Sequence, residues 1–394
     1  MHDDAFHPKG LAARIMHAQR PSREPGFTPH VVPIYQTTNF LYDSGEEMAR
    51  EYREGWIYTR YANPTTEMLN ATLAAWEGTE GAVAFSSGMA AISSALLSVV
   101  GQGEEVLASN RIYGGTFALL SQVLPRYGVT TRFCDLQDRA AAAAEVTGRT
   151  RALYFEPITN PTVDVLDVRG LVGFGRERDL AVVVDNTFAP PPMHQVAAAG
   201  PDLICHSATK YIGGHSDVIA GAVCASAPRL EAITPYSRYF GGTLSPHDAW
   251  LLLRGLKTQP LRLERQCRNA QALADFLAAH PRVARVDYPG LAAHPRHALA
   301  REQFRMGGAM LAFDVEGGLA ASERVLNAFR LCARTVSLGD VETLVCHAAT
   351  TSHFQLSPEE RRAIGVTDGL IRVSVGIEEI DELVADFEQA LAQA

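Results

Sequence analysis

Ala82-Val83-Ala84-Phe85-Ser86-Ser87-Gly88-Met89 is a short apolar run that ends in small polar residues and leads straight into the apolar stretch Ala90 to Val100. The first four residues read as a strand, the Ser-Ser-Gly as a tight turn, and the stretch from Ala90 as a helix. A strand that turns through Ser and Gly into a helix leaves free backbone N–H groups at the positive end of the helix dipole, which suits an anion. No Gly-Lys-Ser/Thr follows, so this is not a Walker loop. Just upstream, Met68, Leu69, Leu73 and Trp76 recur at helical spacing and Gly78 marks a stop. Downstream the alternation continues, with strands over Glu105 to Ala108, Thr130 to Cys134, Arg151 to Glu156 and Ala181 to Val184, and a helix over Thr116 to Tyr127. Alternating strands and helices predict an α/β fold with a mostly parallel sheet covered on both faces. Ligands of such sheets sit at the carboxyl ends of the strands.

The totals fit that reading. A chain of 394 residues, 47% hydrophobic and 20% charged, is long enough for two domains with ample cores. No apolar run is long enough to span a bilayer, and Met1-His2-Asp3-Asp4 does not resemble a secretory signal, so a cytoplasmic location is expected. The six cysteines show no CxxC pair, which argues for reduced thiols and against a zinc site. A net charge of −9 without a basic block speaks against nucleic acid as a partner.

Several strand ends carry chemistry. Lys210 lies in His206-Ser207-Ala208-Thr209-Lys210-Tyr211, after an apolar run and before Gly213-Gly214. Held partly desolvated among small hydroxyl residues, such a lysine has a lowered pKa and reacts with carbonyls. Asp185 closes the apolar run Ala181 to Val184 with Asn186-Thr187 behind it, and a carboxylate there needs a donor or cationic partner. Tyr113, in Tyr113-Gly114-Gly115-Thr116, and Asn160, in Glu156-Pro157-Ile158-Thr159-Asn160-Pro161, occupy the turns after two more strands. Tyr58-Thr59-Arg60 places an aromatic hydroxyl and a guanidinium on one side of an extended segment, a pair that suits a phosphate.

Residues 1–60 are rich in Pro, Arg and His, Pro21, Pro25, Pro29 and Pro33 among them, and read as an extended arm between subunits. Residues 61–246 form the expected cofactor-binding domain. Residues 247–394 form a smaller α/β domain, with a long helix from His247 to about Ala279 interrupted near Pro260. Strands are expected over Val283 to Tyr288, Met310 to Val315 and Ile371 to Val375, and helices over 319–329 and 379–391.

A reactive lysine, a strand-end carboxylate, an aromatic hydroxyl and a phosphate cradle are together what pyridoxal 5′-phosphate requires. The ordered segments Tyr58-Thr59-Arg60 with Asn63-Pro64-Thr65, Ser87-Gly88-Met89, Tyr113-Gly114-Gly115-Thr116, Val184-Asp185-Asn186-Thr187, Ser207-Ala208-Thr209-Lys210, Arg254-Gly255-Leu256-Lys257-Thr258 and Val336-Ser337-Leu338-Gly339 resemble the Cys/Met-metabolism family of pyridoxal phosphate enzymes. That resemblance implies the fold type I architecture and a homotetramer built as a dimer of dimers. It implies that Lys210 bonds to the cofactor carbonyl, that Asp185 partners the ring nitrogen, and that Tyr113 stacks on the ring and moves protons. Ser87, Gly88, Met89, Ser207 and Thr209 would hold the phosphate, with Thr187 and Asn160 also beside the cofactor. Tyr58 and Arg60 would arrive from the neighbouring subunit. Arg372, with Ser337 and Asn160, would bind the substrate carboxylate.

Within the family, enzymes that take cystathionine tend to carry Glu, Arg and Glu where this chain aligns Ile57, Ala118 and Val336. Three apolar residues there suit a small apolar side chain or an acyl ester better than a second zwitterionic head. Val336 and the segment Pro358-Glu359-Glu360-Arg361 resemble methionine γ-lyases. Those enzymes usually carry a cysteine where Gly115 stands and a Lys-Asp pair where Ser237-Arg238 aligns. The region Thr350-Thr351-Ser352-His353 with Gln355-Leu356-Ser357 looks more like sulfhydrylases. The expected activity is removal of the Cγ substituent of methionine-type substrates. The alternatives are an O-acylhomoserine sulfhydrylase or a cystathionine γ-synthase or γ-lyase, with an aminotransferase of the same fold and a non-catalytic cofactor-binding protein further off.

Overall fold

The structure is a computed structural model that describes residues 9–20, 28–351, 354 and 357–394. Pro21 and Pro25 lie outside the described residues, as do Ser352, His353, Gln355 and Leu356 of the segment that resembles sulfhydrylases. Seven strands form the first sheet: β1 (Gly81–Phe85), β2 (Glu105–Ser109), β3 (Thr130–Cys134), β4 (Thr150–Phe155), β5 (Ala181–Asp185), β6 (Leu203–His206) and β7 (Gly221–Ala225). Their spatial order is β1-β7-β6-β5-β4-β2-β3. The five strands from β6 to β3 run parallel, and only β7 runs against both its neighbours. Val182, Val183 and Val184 of β5 are all at most 2% exposed, which is what a strand covered on both faces demands.

The covering helices start and stop on local signals. Helix α1 (Leu11–Ala18) packs on α3, with Ile15 buried, and α2 (Gly45–Glu54) begins where Ser44 accepts the Glu47 amide. The described residues of the segment 1–60 therefore contain two helices where an extended arm was expected. In α3 (Pro64–Glu77) the Asn63 side chain caps the Thr65 amide at 2.9 Å, Pro64 fills the first turn, and Gly78 ends the helix in the left-handed region. Helix α4 (Gly88–Leu97) opens on Ser87, whose hydroxyl accepts the Ala90 amide at 3.0 Å. Helix α5 (Gly114–Ala118) loosens into a π turn over Leu119–Val123 and a tighter 3₁₀ turn over Leu124–Tyr127. Pro125 has no N–H to continue an α-helical ladder there. Helices α6 (Arg139–Ala144), α7 (Val168–Arg176) and α8 (Ala227–Phe240) complete this half.

The break expected near Pro260 is present: α9 (Pro246–Leu256) ends, and α10 (Gln259–Ala279) restarts with Pro260 in its first turn. The second sheet has the order β10-β11-β12-β9-β8, from β8 (Val283–Asp287), β9 (Met310–Val315), β10 (Ala333–Arg334), β11 (Leu344–His347) and β12 (Leu370–Ser374). It is antiparallel except where β10 meets β11. Helices α11 (His297–Gln303), α12 (Gly318–Ala328), α13 (Pro358–Ala363) and α14 (Ile380–Leu391) belong to this half. One buried cluster fills each face of the first sheet, another packs under the second sheet, and a fourth joins Ile158, Tyr211, Leu263, Met310 and Leu338 between them. Full burial of side chains of this size stabilises by about 1.5–3 kcal/mol each, so this last cluster fixes how the two sheets meet. No helix among the described residues is long and apolar enough to cross a membrane.

Candidate active site

The carboxyl ends of β4, β5 and β6 meet a loop of the second sheet. Just past β6, Lys210 donates to the Ser337 hydroxyl at 2.9 Å, and no carboxylate of the described residues bonds to it. Burial, then the positive charge of Arg372, lower its pKa from 10.5 to about 8, so an appreciable fraction of the amine is neutral near physiological pH. The turn that carries it is tightly constrained. Gly339, at φ +77°, approaches so closely that an added Cβ would lie 2.7 Å from the Tyr211 amide nitrogen. From α10 the buried Arg262 donates to the carbonyls of Tyr211, Ile212 and Gly255, filling the space beside Gly214 where a side chain would stand. A planar guanidinium can meet three carbonyls at once, which an ammonium does less well.

Asp185 closes β5 and is 6% exposed. One carboxylate oxygen accepts from the Thr187 amide at 3.1 Å and its hydroxyl at 2.5 Å, and the other accepts from Tyr154 at 3.4 Å. Burial raises its pKa, and the Thr187 donors pull the other way. Thr187 also accepts the Ser207 amide at 2.8 Å, which ties the ends of β5 and β6 together. A buried carboxylate supplied with neutral donors and no salt bridge is prepared to face a cation.

At the start of α4, Gly88 faces Ser207 so closely that a Cβ would lie 2.9 Å from the Ser207 hydroxyl. Backbone amides at a helix N-terminus beside a serine hydroxyl make an anion cradle. The Ser87 hydroxyl is already used as the cap. Thr209 donates its hydroxyl proton to the Ala220 carbonyl at 3.1 Å and accepts the Ala220 amide at 2.9 Å. Met89 lies in the same first turn.

Tyr113 is 45% exposed, and its ring lies over Gly115, where a Cβ would come 2.5 Å from the ring edge. Its backbone amide donates to Glu156 at 2.7 Å. Across the site Arg372, 3% exposed on β12, donates to Asn160 at 3.1 Å and to the carbonyls of Val336 and Ser337 at 2.9 and 3.1 Å. A buried guanidinium with only neutral acceptors has its charge free for a carboxylate. The Val336 side chain is 60% exposed, and Ala118 is half-buried in α5.

Residues 13–392 match the family described as Cys/Met metabolism PLP-dependent enzyme. The chain belongs to that family. It is 43% identical over 387 residues to an L-methionine gamma-lyase of Pseudomonas putida, covering 97% of each chain. It is 37% identical over 385 residues to an O-succinylhomoserine sulfhydrylase of Pseudomonas aeruginosa, covering 97% of this chain and 94% of the relative. Among solved structures it superposes with a TM-score of 0.92 and 30% identity on a candidate O-acetylhomoserine (thiol)-lyase of Campylobacter jejuni that carries pyridoxyl-lysine-5′-monophosphate, covering 97% and 99% of the two chains. This is therefore a fold type I, pyridoxal phosphate-dependent enzyme of cysteine and methionine metabolism.

The residues fit the family's cofactor: a carboxylate with no cation bonded to it, a lysine with no carboxylate bonded to it, and a helix N-terminus at Gly88 beside Ser207, which Thr187 ties to Asp185. Tyr58 and Arg60 are expected from a neighbouring subunit, and within one chain they stand apart from that chain's own cleft. Tyr58 and Arg60 share no hydrogen bond, ion pair or ring contact with Lys210, Ser207 or Asp185 among the described residues. Arg60 instead donates to the Arg238 carbonyl at 3.0 Å and stacks on Tyr61. With Ile57, both line a surface recess of about 800 Å³ beside Leu41, Met48 and Tyr52. Two site residues escaped the sequence reading. Glu156 follows an apolar strand as Asp185 does, so the same signal applies to it. Arg262 sits mid-helix, and only the folded turn shows its task.

Proposed function

We propose that this enzyme removes the Cγ substituent of a methionine-type amino acid by γ-elimination, consuming one water and releasing a thiol, ammonia and 2-oxobutyrate. The observation that carries this reading is an anion receptor at Arg372 with no charged residue at the apolar positions Val336 and Ala118. A second zwitterionic head would meet no compensating charge there. Six relatives at 38–43% identity are L-methionine gamma-lyases and support it, while a cystathionine beta-lyase MetC of Bacillus subtilis stands at 40%.

When bound, pyridoxal phosphate supplies a conjugated ring that stabilises negative charge developing at the substrate Cα. Gly88 and Met89 amides with Ser207 would hold its phosphate, joined by Thr209 once its hydroxyl turns from the Ala220 carbonyl, and Asp185, positioned by Thr187, would hold the charge that faces its ring nitrogen. Arg372, Asn160 and Ser337 fix the substrate carboxylate. Lys210 would take the proton from Cα, hand it on to the bound cofactor and, neutral again, take one from Cβ. Tyr113 assists the departing thiolate from its perch over Gly115.

We further propose a homotetramer in which Ile57, Tyr58 and Arg60 complete the partner's site. Leu41 at 101% exposure and Tyr52 at 68% beside those residues support it, since such apolar surface calls for a cover. The same reading divides the chain into an arm over 1–60, a cofactor domain over 61–246 and a smaller domain over 247–394. Six free thiols, five of them buried, fit a cytoplasmic location.

A product panel tests the activity: methionine, cystathionine, cysteine, O-acetylhomoserine and O-succinylhomoserine, each with and without sulfide. Rapid methanethiol and 2-oxobutyrate from methionine are expected. Homocysteine formed only from an acyl ester and sulfide would replace the elimination reading with the sulfhydrylase one. The relative of that name gives this second reading its support.

A further inference from the structure

We propose that Glu156 stays protonated beside Asp185, so that the two buried carboxyl groups share one negative charge, carried by Asp185, while Glu156 positions Tyr113. This rests on reading the cleft as the pyridoxal phosphate site.

Strands β4 and β5 are parallel neighbours in the register Phe155 with Val184. The next residues, Glu156 and Asp185, therefore stand side by side on one face, above Tyr154 and Val183. They are 4% and 6% exposed, and neither forms an ion pair among the described residues. Two adjacent carboxylates without a cation cannot both stay ionised in so dry a place.

The donors decide which one keeps the charge. Asp185 receives three hydrogen bonds, two from Thr187 and one from Tyr154. Glu156 receives only one, from the Tyr113 amide; that bond favours the ionised form, but a neutral carboxyl oxygen still accepts it, and burial and the charge of Asp185 outweigh it. The other groups around the pair give Glu156 no cation. Tyr154 and Cys205 are themselves held neutral by burial. His206, whose charge would favour an ionised Asp185, is hydrogen-bonded to Glu77 at 2.8 Å. Burial first, then the charge of Asp185, push Glu156 well above the ordinary carboxylate range, and Asp185 is raised against the pull of its donors.

The consequence is a charge match. One negative charge on Asp185 meets one protonated ring nitrogen, whereas two would leave the dry cleft with an uncompensated anion. Glu156 also anchors the backbone of the residue whose ring lies over Gly115, so its protonation and the placing of Tyr113 are linked.

Infrared spectroscopy of the purified protein near neutral pH, with and without added pyridoxal phosphate, tests this. A carboxylic-acid carbonyl band is expected in the wild type. It should shift on ¹³C-glutamate labelling, vanish in Glu156→Gln and persist in Asp185→Asn. Glu156→Gln should keep cofactor affinity within about threefold, and Asp185→Asn should lose about 100-fold, as fits removal of one partner of a buried charge pair. Absence of the band, its insensitivity to glutamate labelling, or its loss in Asp185→Asn alone would overturn the proposal. The labelling arm needs no variant to fold. Failure of every form to bind pyridoxal phosphate would instead overturn the reading of the cleft, because the infrared result is obtained without cofactor.

Discussion

Lys210 and Ser337, 127 residues apart in sequence, meet through a 2.9 Å hydrogen bond, and the Ser337 carbonyl also accepts from Arg372. One loop thus holds a lysine and an arginine close together, and their repulsion adds to burial in lowering the Lys210 pKa.

That lowering predicts a pH-dependent stability. Between about 8 and 10.5 the unfolded chain binds a proton at Lys210 that the folded chain does not. Stability of the cofactor-free protein therefore rises with pH through that window, and the full penalty applies below it. Lys210→Met removes the penalty. The cofactor-free variant should be more stable than wild type by up to about 3 kcal/mol near neutral pH, with the gap closing toward pH 10.5. Denaturant melts at both ends of the window check this, and equal midpoints throughout would contradict it.

Arg372→Lys keeps a positive charge but loses the planar fork that meets Asn160 and two carbonyls. KM for the amino acid should rise about 10- to 100-fold, with a smaller change in kcat. Steady-state kinetics measure the split, and an unchanged KM would remove Arg372 from the carboxylate site.

At Gly115 an added methyl meets the Tyr113 ring. That ring is half-exposed and free to swing out, so Gly115→Ala should shift melting little while kcat falls about tenfold, the scale of a misplaced proton-transfer group. A large loss of stability with kcat preserved would show that the ring is fixed elsewhere.

Sharing of sites between subunits has its own test. Arg60→Ala and Lys210→Ala proteins, each nearly inactive, should regain activity when unfolded together and refolded as a mixture. In a mixed dimer one site carries both changes and the other neither. No recovery in verified mixed dimers would place Arg60 in its own chain's site.

Much of this was legible in the sequence, because buried parallel strands are short unbroken apolar runs and their ends carry the chemistry. Asp185, Asn160 and Lys210 were found that way. Helix α7 was not foreseen, since Gly170, Gly173 and Gly175 depress its propensity and the cap of the Gly170 amide by Asp167 compensates only locally. Helix α8 was hidden by Pro235 in its interior. The edge strand β10 is two residues long, too short for any period. Partnerships such as Arg262 with the turn after Lys210 leave no pattern in sequence, because nothing local requires them.

The bonds that assemble the cleft span 127 residues from Lys210 to Ser337 and 212 from Asn160 to Arg372. Closing such long loops is entropically late work for a folding chain, so a partly folded molecule with its strands in place still lacks a competent cleft. Uptake of the cofactor then reports completed folding rather than guiding it. It should act by mass action on the finished state alone, adding on the order of 4 kcal/mol at free concentrations a thousandfold above the dissociation constant.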